Sequence, residues 1–422
     1  MKCCLAGSLQ QDERCDVLIL GAGITGALVA RELLDAGLDV VIVDRGEVAA
    51  GSTAASTALV QYDTDLPLLE LADKIGRCKA DQVYLATRGA LDDLADRIAR
   101  DHIDCDFAWR PSLYLSSANG DVDFLKQECA ARRRLGIEAS WLDAASLVDR
   151  YGIAGRGGAI RSTAALEVDP QKLTRGLLDR CLERGARLYT YTDIELDDCS
   201  AKPIVARSSA GHCIRARDVI FATGYSAPER FATLREFCSL QTTYAASARP
   251  IYPAFVWPDR AMLWEHDDPY LYARTTPDGR VLIGGGDEPT TDPAKADAHR
   301  DRKIGRLVER FNELMPTCPV EVESTWSGVF ASTDDSLALI GKAPGARGDN
   351  CHFALGFGGN GMTFGVLASH ILRDAILRRS PHPAAQLFSF DRFRTAHKPQ
   401  PQPQRPRERA LNLTLAAVRF LF

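Results

Sequence analysis

The chain has 422 residues, a length that favours two or three domains over a single hydrophobic core. Its content of 45% hydrophobic and 25% charged residues is typical of a globular protein, and a formal net charge of −5 argues against a general nucleic-acid-binding protein. The 12 cysteines include no CxxC pair and no closely spaced Cys/His cluster, so the sequence predicts no metal site and reduced thiols in a cytoplasmic protein.

The N-terminal region predicts a strand, a glycine turn, a helix and a second strand. Residues 16–20, DVLIL, form an apolar run typical of a buried parallel strand. In residues 24–37, ITGALVARELLDAG, the apolar side chains recur at helical spacing. Residues 39–44, DVVIVD, form a second buried run.

The central region alternates between helical patterns and strand patterns. Helices are predicted at 66–100, 121–135, 169–185 and 293–314. Strands are predicted at 104–116 with a turn at Pro111, at 201–224 as a hairpin ending in VIFATG, and at 250–286 with a tight turn at PDGR.

The C-terminal region begins with a strand, a glycine-rich turn and a long helix in NCHFALGFGGNGMTFGVLASHILRDAILRR. Residues 398–422 then form a Pro/Gln-rich linker and an apolar C-terminal segment. That segment either packs back on the protein or contacts a partner or a membrane surface. No apolar run approaches the ~20 residues of a transmembrane helix, and the N-terminal leader lacks the apolar core of a signal peptide.

The GAGITG turn at 21–26 is the strongest motif in the chain. Gly21 makes the tight turn after the strand, Gly23 leaves room for a pyrophosphate, and Gly26 lets the helix pack closely on the sheet. The helix N-terminus offers free N–H groups to the phosphates. Asp44 ends the second strand, where a carboxylate can accept hydrogen bonds from adenosine ribose hydroxyls.

Four features favour FAD over NAD and together resemble one family. They are the hydroxyl-rich loop RGEVAAGSTAAST at 45–57, VIFATG at 219–224, IG at 340–341, and GFGGNGMTFG at 356–365. The chain resembles the FAD-dependent oxidoreductases related to D-amino acid oxidase, glycine oxidase and sarcosine oxidase. The resemblance runs from about residue 15 to about residue 395.

The resemblance implies an α/β fold with a discontinuous, Rossmann-type FAD-binding domain like that of glutathione reductase. It also implies a second domain with an antiparallel β-sheet that covers the flavin. We expect residues 15–90, 150–240 and 325–395 in the FAD domain and residues 91–149 and 241–324 in the substrate domain. The run GVFASTDDSLALIG lacks the cysteine of members with a covalent flavin, so non-covalent FAD is expected.

The resemblance also carries over to individual positions along the cofactor. A helix start near the flavin pyrimidine would stabilise negative charge on the reduced ring. The matched residues are Gly21, Gly23, Gly26 and Asp44 for the pyrophosphate and ribose, Gly51, Ser52, Ser56 and Thr57 for the loop toward the flavin, Thr223 and Gly224 beside the cofactor, and Gly358, Gly359, Asn360, Gly361 and Met362 near the pyrimidine.

The substrate-binding positions depart from the family pattern. Glycine oxidase-like members hold the substrate carboxylate with two arginines, but the matching positions here are Phe330 and Gly359. The lysine of sarcosine oxidase-like members is replaced by Leu282. Arg274 is the candidate replacement anchor, with Tyr270, Tyr272 and Trp264 as candidate cavity walls, and His266 is interpreted as a turn residue rather than a base.

The predicted activity is oxidation of a C–N bond in a small amine or amino-acid-like substrate, by hydride transfer to flavin N5. No side chain is assigned as catalytic, because a neutral amine needs no protein base. Oxygen or another molecule would accept the electrons. Two alternatives stay open, a dehydrogenase of a hydroxy acid or polyol phosphate and a flavin-binding subunit of a redox complex; a nicotinamide enzyme is the least favoured.

Overall fold

A computed structural model describes residues 3, 6–118, 120–196, 200–251, 256–267, 269–344, 348 and 350–393. The C-terminal linker and apolar segment at 398–422 lie outside the described residues. Two β-sheets with flanking helices form the molecule, which confirms the predicted α/β class with a Rossmann-type region and a second, mostly antiparallel sheet. No described helix is both long enough and apolar enough to cross a membrane.

Among the described residues, the first sheet has eight strands and contains the predicted N-terminal unit. Its spatial order is β16 (Leu339–Gly341), β17 (Cys351–Leu355), β10 (Cys213–Phe221), β1 (Glu13–Leu20), β2 (Val40–Val43) and β7 (Arg187–Tyr189), with β9 (Ile204–Ser208) and β8 (Ile194–Leu196) joined through β10. The strands from β17 to β7 pair in parallel, and the apolar side chains of β1 and β2 are buried. The apolar runs at 16–20 and 39–44 therefore form central strands, as predicted.

In the part of the chain that the structure describes, the second sheet has nine strands, and each of its pairs is antiparallel except the pair of β12 with β4. Its order is β15 (Val320–Ser332), β11 (Ser239–Pro250), β14 (Val281–Glu288), β13 (Leu271–Thr275), β12 (Met262–Glu265), β4 (Ala108–Leu115), β6 (Gly158–Glu167) and β3 (Leu59–Gln61), with β5 (Ala139–Asp143) beside β6. The predicted PDGR turn joins β13 to β14, where the N–H of Gly279 donates to the carbonyl of Thr276 at 2.9 Å.

The helices cover both sheets. They are α1 (Ile24–Asp35), α2 (Ser52–Ala55), α3 (Leu68–Ile75), α4 (Arg77–Arg100), α5 (Val122–Arg134), α6 (Ala144–Tyr151), α7 (Pro170–Glu183), α8 (Ala227–Arg230), α9 (Pro293–Leu314), α10 (Gly361–Ile376) and α11 (Ala385–Phe388). Helices α1, α4, α7 and α10 bury apolar side chains in one core with β1 and β2, while α9 packs on the second sheet. The predicted helix at 66–100 is interrupted at Gly76, whose φ of 88° breaks the helical path.

One prediction along the chain needs correction at the level of strands. Pro111 does not make a turn: it lies inside β4, where the pairing register with β6 shifts between Arg110 and Ser112. The predicted FAD-domain ranges also contain β3, β6 and the second half of β15, which are strands of the second sheet. These strands pair with β6, β4 and β11, which lie far away in sequence, so local patterns do not show which sheet each strand joins.

Candidate active site

The glycine turn lies where β1 meets α1, and its main chain leaves no room for side chains. Gly21 has a φ of 111°, and a Cβ there would collide with the carbonyl of Ala222 at the end of β10. A Cβ on Gly26 would collide with the carbonyl oxygen of Gly21, so α1 can approach β1 this closely only with glycine. The turn thus exposes main-chain N–H groups at a helix N-terminus, as a phosphate-binding turn requires.

The carboxylate of Asp44 is fixed beside this turn. One of its oxygens accepts from the N–H of Ala22 at 2.7 Å, and the other accepts from the N–H of Gly46 at 2.8 Å. Each carboxylate oxygen can accept a further hydrogen bond, so the group can still bind a ribose diol. Asp44 comes directly after β2 and lines the same cavity as the turn.

The hydroxyl-rich loop is held in place by the second sheet. The indole of Trp326 on β15 donates to the carbonyl of Ala55 at 2.9 Å, and the hydroxyl of Ser52 donates to the carbonyl of Val329 at 3.3 Å. On β13, the guanidinium of Arg274 donates to the carbonyl of Thr57. The loop therefore spans from the glycine turn to the strands that cover the other side of the cavity.

The glycine-rich turn before α10 contacts an unexpected carboxylate. The N–H of Gly359 lies 3.2 Å from Oδ2 of Asp65, and the side-chain amide of Asn360 donates to Oδ1 at 2.8 Å. A Cβ on Gly358 would collide with the same carboxylate. The Asp65 side chain is exposed to the open cavity, and desolvation by the protein around it raises its pKa to about 6, against the lowering effect of the Gly359 N–H.

These segments surround one cavity of about 1710 Å³. Small-molecule pockets are typically ~300–1,000 Å³, so this cavity has room for a dinucleotide and a substrate together. The structure brings most of the predicted residues together in its wall. The predicted residues that line it are Gly21, Gly23, Asp44, Gly51, Ser52, Ser56, Thr57, Thr223, Gly224, Gly358, Gly359, Asn360, Gly361, Met362, Trp264, Tyr270 and Tyr272. Gly26 supports the turn from behind.

Arg274 is the predicted substrate residue that the structure does not bring into the cavity. Its guanidinium is buried, with 5% of the residue exposed, and it donates to the carbonyls of Thr57, Thr275 and Val168. Glu167 lies 3.7 Å away. Burial lowers the pKa of Arg274 to about 10, and Glu167 opposes this change. The side chain is used to fix main chain and cannot also reach a substrate carboxylate.

The predicted aromatic residues form a wall of the cavity. The rings of Tyr270 and Tyr272 stack with centroids 6.0 Å apart. Trp264 stacks on Tyr114 with centroids 3.6 Å apart and planes within 6°. The hydroxyl of Tyr270 donates to Oδ2 of Asp287 at 2.7 Å, and burial raises the pKa of Tyr270 well above its usual value. These four aromatic rings all line the cavity.

His266 is a cavity residue that the sequence analysis interpreted as part of a turn. Its Nδ1 lies 2.5 Å from the hydroxyl of Tyr114, and its Nε2 lies 3.6 Å from Asp121 and 3.8 Å from Glu70. The ring also stacks on Phe124. The sequence WEHDDP has turn-type residues, and the parallel pairing of β12 with β4 that brings His266 to Tyr114 has no local sequence signal.

The cavity wall is rich in carboxylates. Among the described residues that line it, Arg45 is the sole lysine or arginine, and it follows Asp44 on the ribose side. The lining carboxylates are Asp44, Glu47, Asp63, Asp65, Glu70, Asp121, Asp193, Glu195, Glu265, Asp267, Asp287 and Asp334. Phe330 and Gly359, at the positions of the family's anchor arginines, also line the cavity. No group of three potential metal ligands occurs in the part of the chain that the structure describes.

Comparisons with known proteins agree with this geometry. A family model described as FAD dependent oxidoreductase matches residues 16–375. A putative Rieske 2Fe-2S iron-sulfur protein of Bacillus subtilis (strain 168) is 26% identical over 390 residues, or 92% of this chain and 73% of that protein. The gamma-glutamylputrescine oxidoreductase of Escherichia coli (strain K12) is 25% identical over 388 residues, or 87% of this chain and 85% of that protein. The crystal structure of glycine oxidase from Geobacillus kaustophilus is 22% identical, with a TM-score of 0.74 over 92% of this chain and 100% of that one.

Proposed function

The chain belongs to the family of FAD-dependent oxidoreductases, and from this premise we propose that it oxidises a C–N bond in a small amine or amino-acid-like substrate. The observation that carries the proposal is the single cavity that joins a dinucleotide cradle to a chamber lined by aromatic side chains. The name of the Escherichia coli relative, which specifies an amine derivative, supports the same reaction class.

The cofactor cradle fits FAD on two structural grounds. Glycines leave space that a Cβ would fill at the turn after β1, and the carboxylate of Asp44 stands at the end of β2 with acceptor capacity to spare. We propose that Gly21, Gly23 and Gly26 form the pyrophosphate turn. The remaining cofactor contacts are proposed for Asp44, Gly51, Ser52, Ser56, Thr57, Thr223, Gly224, Gly358, Gly359, Asn360, Gly361 and Met362.

Bound FAD would accept a hydride from the substrate carbon that carries the nitrogen. The protein orients that carbon and keeps water away from it, with Tyr270, Tyr272 and Trp264 as the apolar surfaces. The imine product hydrolyses in water. No side chain is proposed as a catalytic acid or base. Non-covalent FAD is proposed because no cysteine is among the described residues that line the cavity.

The test is the absorbance spectrum of the purified protein, followed by anaerobic titration with amines, amino acids and hydroxy acids. Flavin bands that bleach with amines or amino acids support the proposal. Bleaching by hydroxy acids or polyol phosphates alone contradicts it. Release of the flavin into the supernatant after acid precipitation would show non-covalent binding.

A flavin-binding subunit that passes electrons to an iron–sulfur protein is a second candidate function. It is favoured by the Bacillus subtilis relative, which is named as a Rieske iron–sulfur protein and of which the match covers 73%. Readmitting air to the substrate-reduced protein separates the two functions. Rapid reoxidation with peroxide formation indicates an oxidase, whereas slow reoxidation in air and fast reoxidation by an artificial acceptor indicate electron transfer to a partner.

A further inference from the structure

We infer that the substrate is an amine with a second positively charged group and no carboxylate, a di- or polyamine. This inference rests on the proposed C–N oxidation and specifies the substrate class of the same cavity. Four observations carry it: a reversal of charge beside Gly359, a second carboxylate nearby, aromatic faces, and an unused acceptor.

The first observation is the reversal of charge at the turn before α10. Gly359 stands where glycine oxidase-like members have an arginine, and its N–H points to the carboxylate of Asp65 at 3.2 Å. A Cβ at position 359 would lie 3.2 Å from Oδ1 of Asp65, and one at Gly358 would collide with Oδ2. The glycines therefore make room for a carboxylate, and this part of the cavity attracts cations where an arginine would attract anions.

The second observation is that Asp65 does not act alone. Asp287 on β14 also lines the cavity, and its charge contributes to the raised pKa of Asp65, so the fields of the two carboxylates overlap. The hydroxyl of Tyr270 holds Asp287 in place at 2.7 Å. A positively charged ligand in this part of the cavity would offset the repulsion that Asp287 exerts on Asp65.

The third and fourth observations, the aromatic faces and the unused acceptor, concern the wall around these carboxylates. Tyr270 and Tyr272 present stacked aromatic rings, and an ammonium group binds favourably over such faces. Oε1 of Gln61 is buried in the same wall and has no hydrogen-bond donor among the described residues. A donor-rich ligand such as an ammonium group would satisfy this acceptor. Phe330, at the other anchor position, gives an alkyl chain an apolar contact.

An amino-acid substrate would meet the opposite environment. Its carboxylate would lie among carboxylates, and Arg274, the nearest candidate anchor, is bound to main-chain carbonyls away from the cavity. Burying an unpaired negative charge beside another is strongly unfavourable. The same argument disfavours hydroxy acids and polyol phosphates.

The experiment compares three probes of equal chain length on the purified holoenzyme: 1,4-diaminobutane, n-butylamine and 4-aminobutanoate. Dissociation constants come from perturbation of the oxidised flavin spectrum, so that a binding order is obtained even without turnover. The rates of anaerobic flavin reduction by the three probes give a second, independent ranking. We expect the diamine to bind at least about tenfold more tightly than butylamine, because a charge-assisted hydrogen bond contributes about that factor. The aminobutanoate should bind most weakly.

Asp65→Asn and Asp287→Asn should each remove about tenfold of the diamine affinity and leave butylamine within about twofold. Asp301→Asn, on the exposed surface of α9, is the matched control for the lost charge and should change neither ligand. Equal binding of diamine and butylamine, or tightest binding of the aminobutanoate, would overturn the inference and leave the proposed function intact. Flavin reduction by hydroxy acids alone would overturn the proposed function itself.

Discussion

The two ends of the cavity are built in different ways. The proposed cofactor end consists of main chain and small side chains from short contiguous segments, above all the turn after β1 and the loop at 51–57. The substrate end consists of large and charged side chains from β12, β13, β14 and the segment after β3. Main-chain geometry tolerates few substitutions, whereas side-chain chemistry can be exchanged on an unchanged backbone. One fold can therefore keep its cofactor while its substrate class changes.

The largest effect is expected from a single methyl group at the cofactor end. In Gly26→Ala the new Cβ collides with the carbonyl of Gly21, so α1 must move away from β1 and the pyrophosphate turn with it. We expect the purified variant to retain under a tenth of the wild-type flavin, measured as the ratio of flavin to protein absorbance.

Gly89→Ala is the control for this variant. Gly89 lies within α4, where a Cβ would contact nothing within 4 Å. Alanine favours a helix over glycine by about 0.5–1 kcal/mol, so the control should keep its flavin and melt at the same or a higher temperature. Full flavin content in Gly26→Ala would show that the turn is more adaptable than its geometry implies.

The next effect concerns a buried ion cluster behind the substrate end. Arg132 on α5 is 1% exposed and pairs with Asp63 and with Glu128, whose Oε1 lies 2.8 Å from Nε. Its guanidinium also lies over the rings of Tyr62 and Tyr114. Arg132→Met leaves two buried carboxylates unpaired and should lower the free energy of unfolding by about 3–5 kcal/mol.

Thermal unfolding of the holoprotein, followed by circular dichroism, measures this loss. Arg134→Met on the same helix removes an exposed pair with Asp81 at 2.7 Å and should cost less than about 1 kcal/mol. Similar melting temperatures for the two variants would mean that the interior cluster contributes no more than a surface pair.

The preference of the substrate end for a diamine over a monoamine should depend on pH. The carboxylate of Asp65 contacts Gly359 and Asn360, and desolvation together with the charge of Asp287 raises its pKa to about 6. Protonated Asp65 cannot attract an ammonium group, so the ratio of kcat/KM for 1,4-diaminobutane to that for n-butylamine should rise about tenfold between about pH 5 and 7. Both probes contain the reacting amino group, so the effect of its ionisation on kcat/KM cancels in the ratio. Asp65→Asn should make it independent of pH.

The contribution of Asp65 to stability should fall as the pH rises, whereas its contribution to diamine binding should increase. The pKa of Asp65 in the folded state, about 6, lies above the ordinary value for an aspartate, so folding favours its protonated form. The stabilisation is complete below the unfolded pKa of about 4 and is lost as the pH rises through about 6. Asp65→Asn should therefore melt at a higher temperature than the wild type above pH 6, although it binds the diamine less well. A lower melting temperature would assign Asp65 a structural role instead.

The smallest effect is expected at the ribose contact. In Asp44→Asn one oxygen can still accept the N–H of Ala22, but the amide nitrogen can no longer accept from Gly46 or a ribose hydroxyl. We expect FAD to dissociate about tenfold more readily, measured by fluorescence of released flavin on dilution. Unchanged affinity would show that the ribose is held elsewhere.

Sequence patterns predicted the local structure of the proposed cofactor end better than that of the proposed substrate end, because of how far apart the contributing residues lie. The strand, glycine turn and helix at 16–35 interact within one short segment, so local patterns contain the information. Helix α9 was predicted correctly at 293–314 from its charged, amphipathic pattern. The substrate end depends on pairings across the second sheet.

Arg274 and His266 illustrate the limit. The period of a strand tells which side chains share a face, so Arg274 and Tyr272 were both expected to point inward, and they do share a face of β13. The alternation of side chains along a strand does not tell how far each side chain lies from the cavity. The guanidinium of Arg274 donates to the carbonyls of Thr57 and Val168 and therefore does not extend into the cavity. His266 reaches it through a parallel strand pair, β12 with β4, that no local pattern encodes.

The loop that carries Ser52 and Thr57 links the halves of the molecule mechanically. It leaves the first sheet after β2, yet Trp326, Arg274 and Val329 of the second sheet hold its main chain and side chains. Any tilt of one sheet relative to the other must pull on this loop. We expect a dinucleotide bound to this loop to restrain the position of one sheet relative to the other. FAD binding should therefore reduce the mobility of strands that the adenosine half does not contact. Hydrogen exchange of β13 and β15 should slow on reconstitution by the same factor as that of the loop.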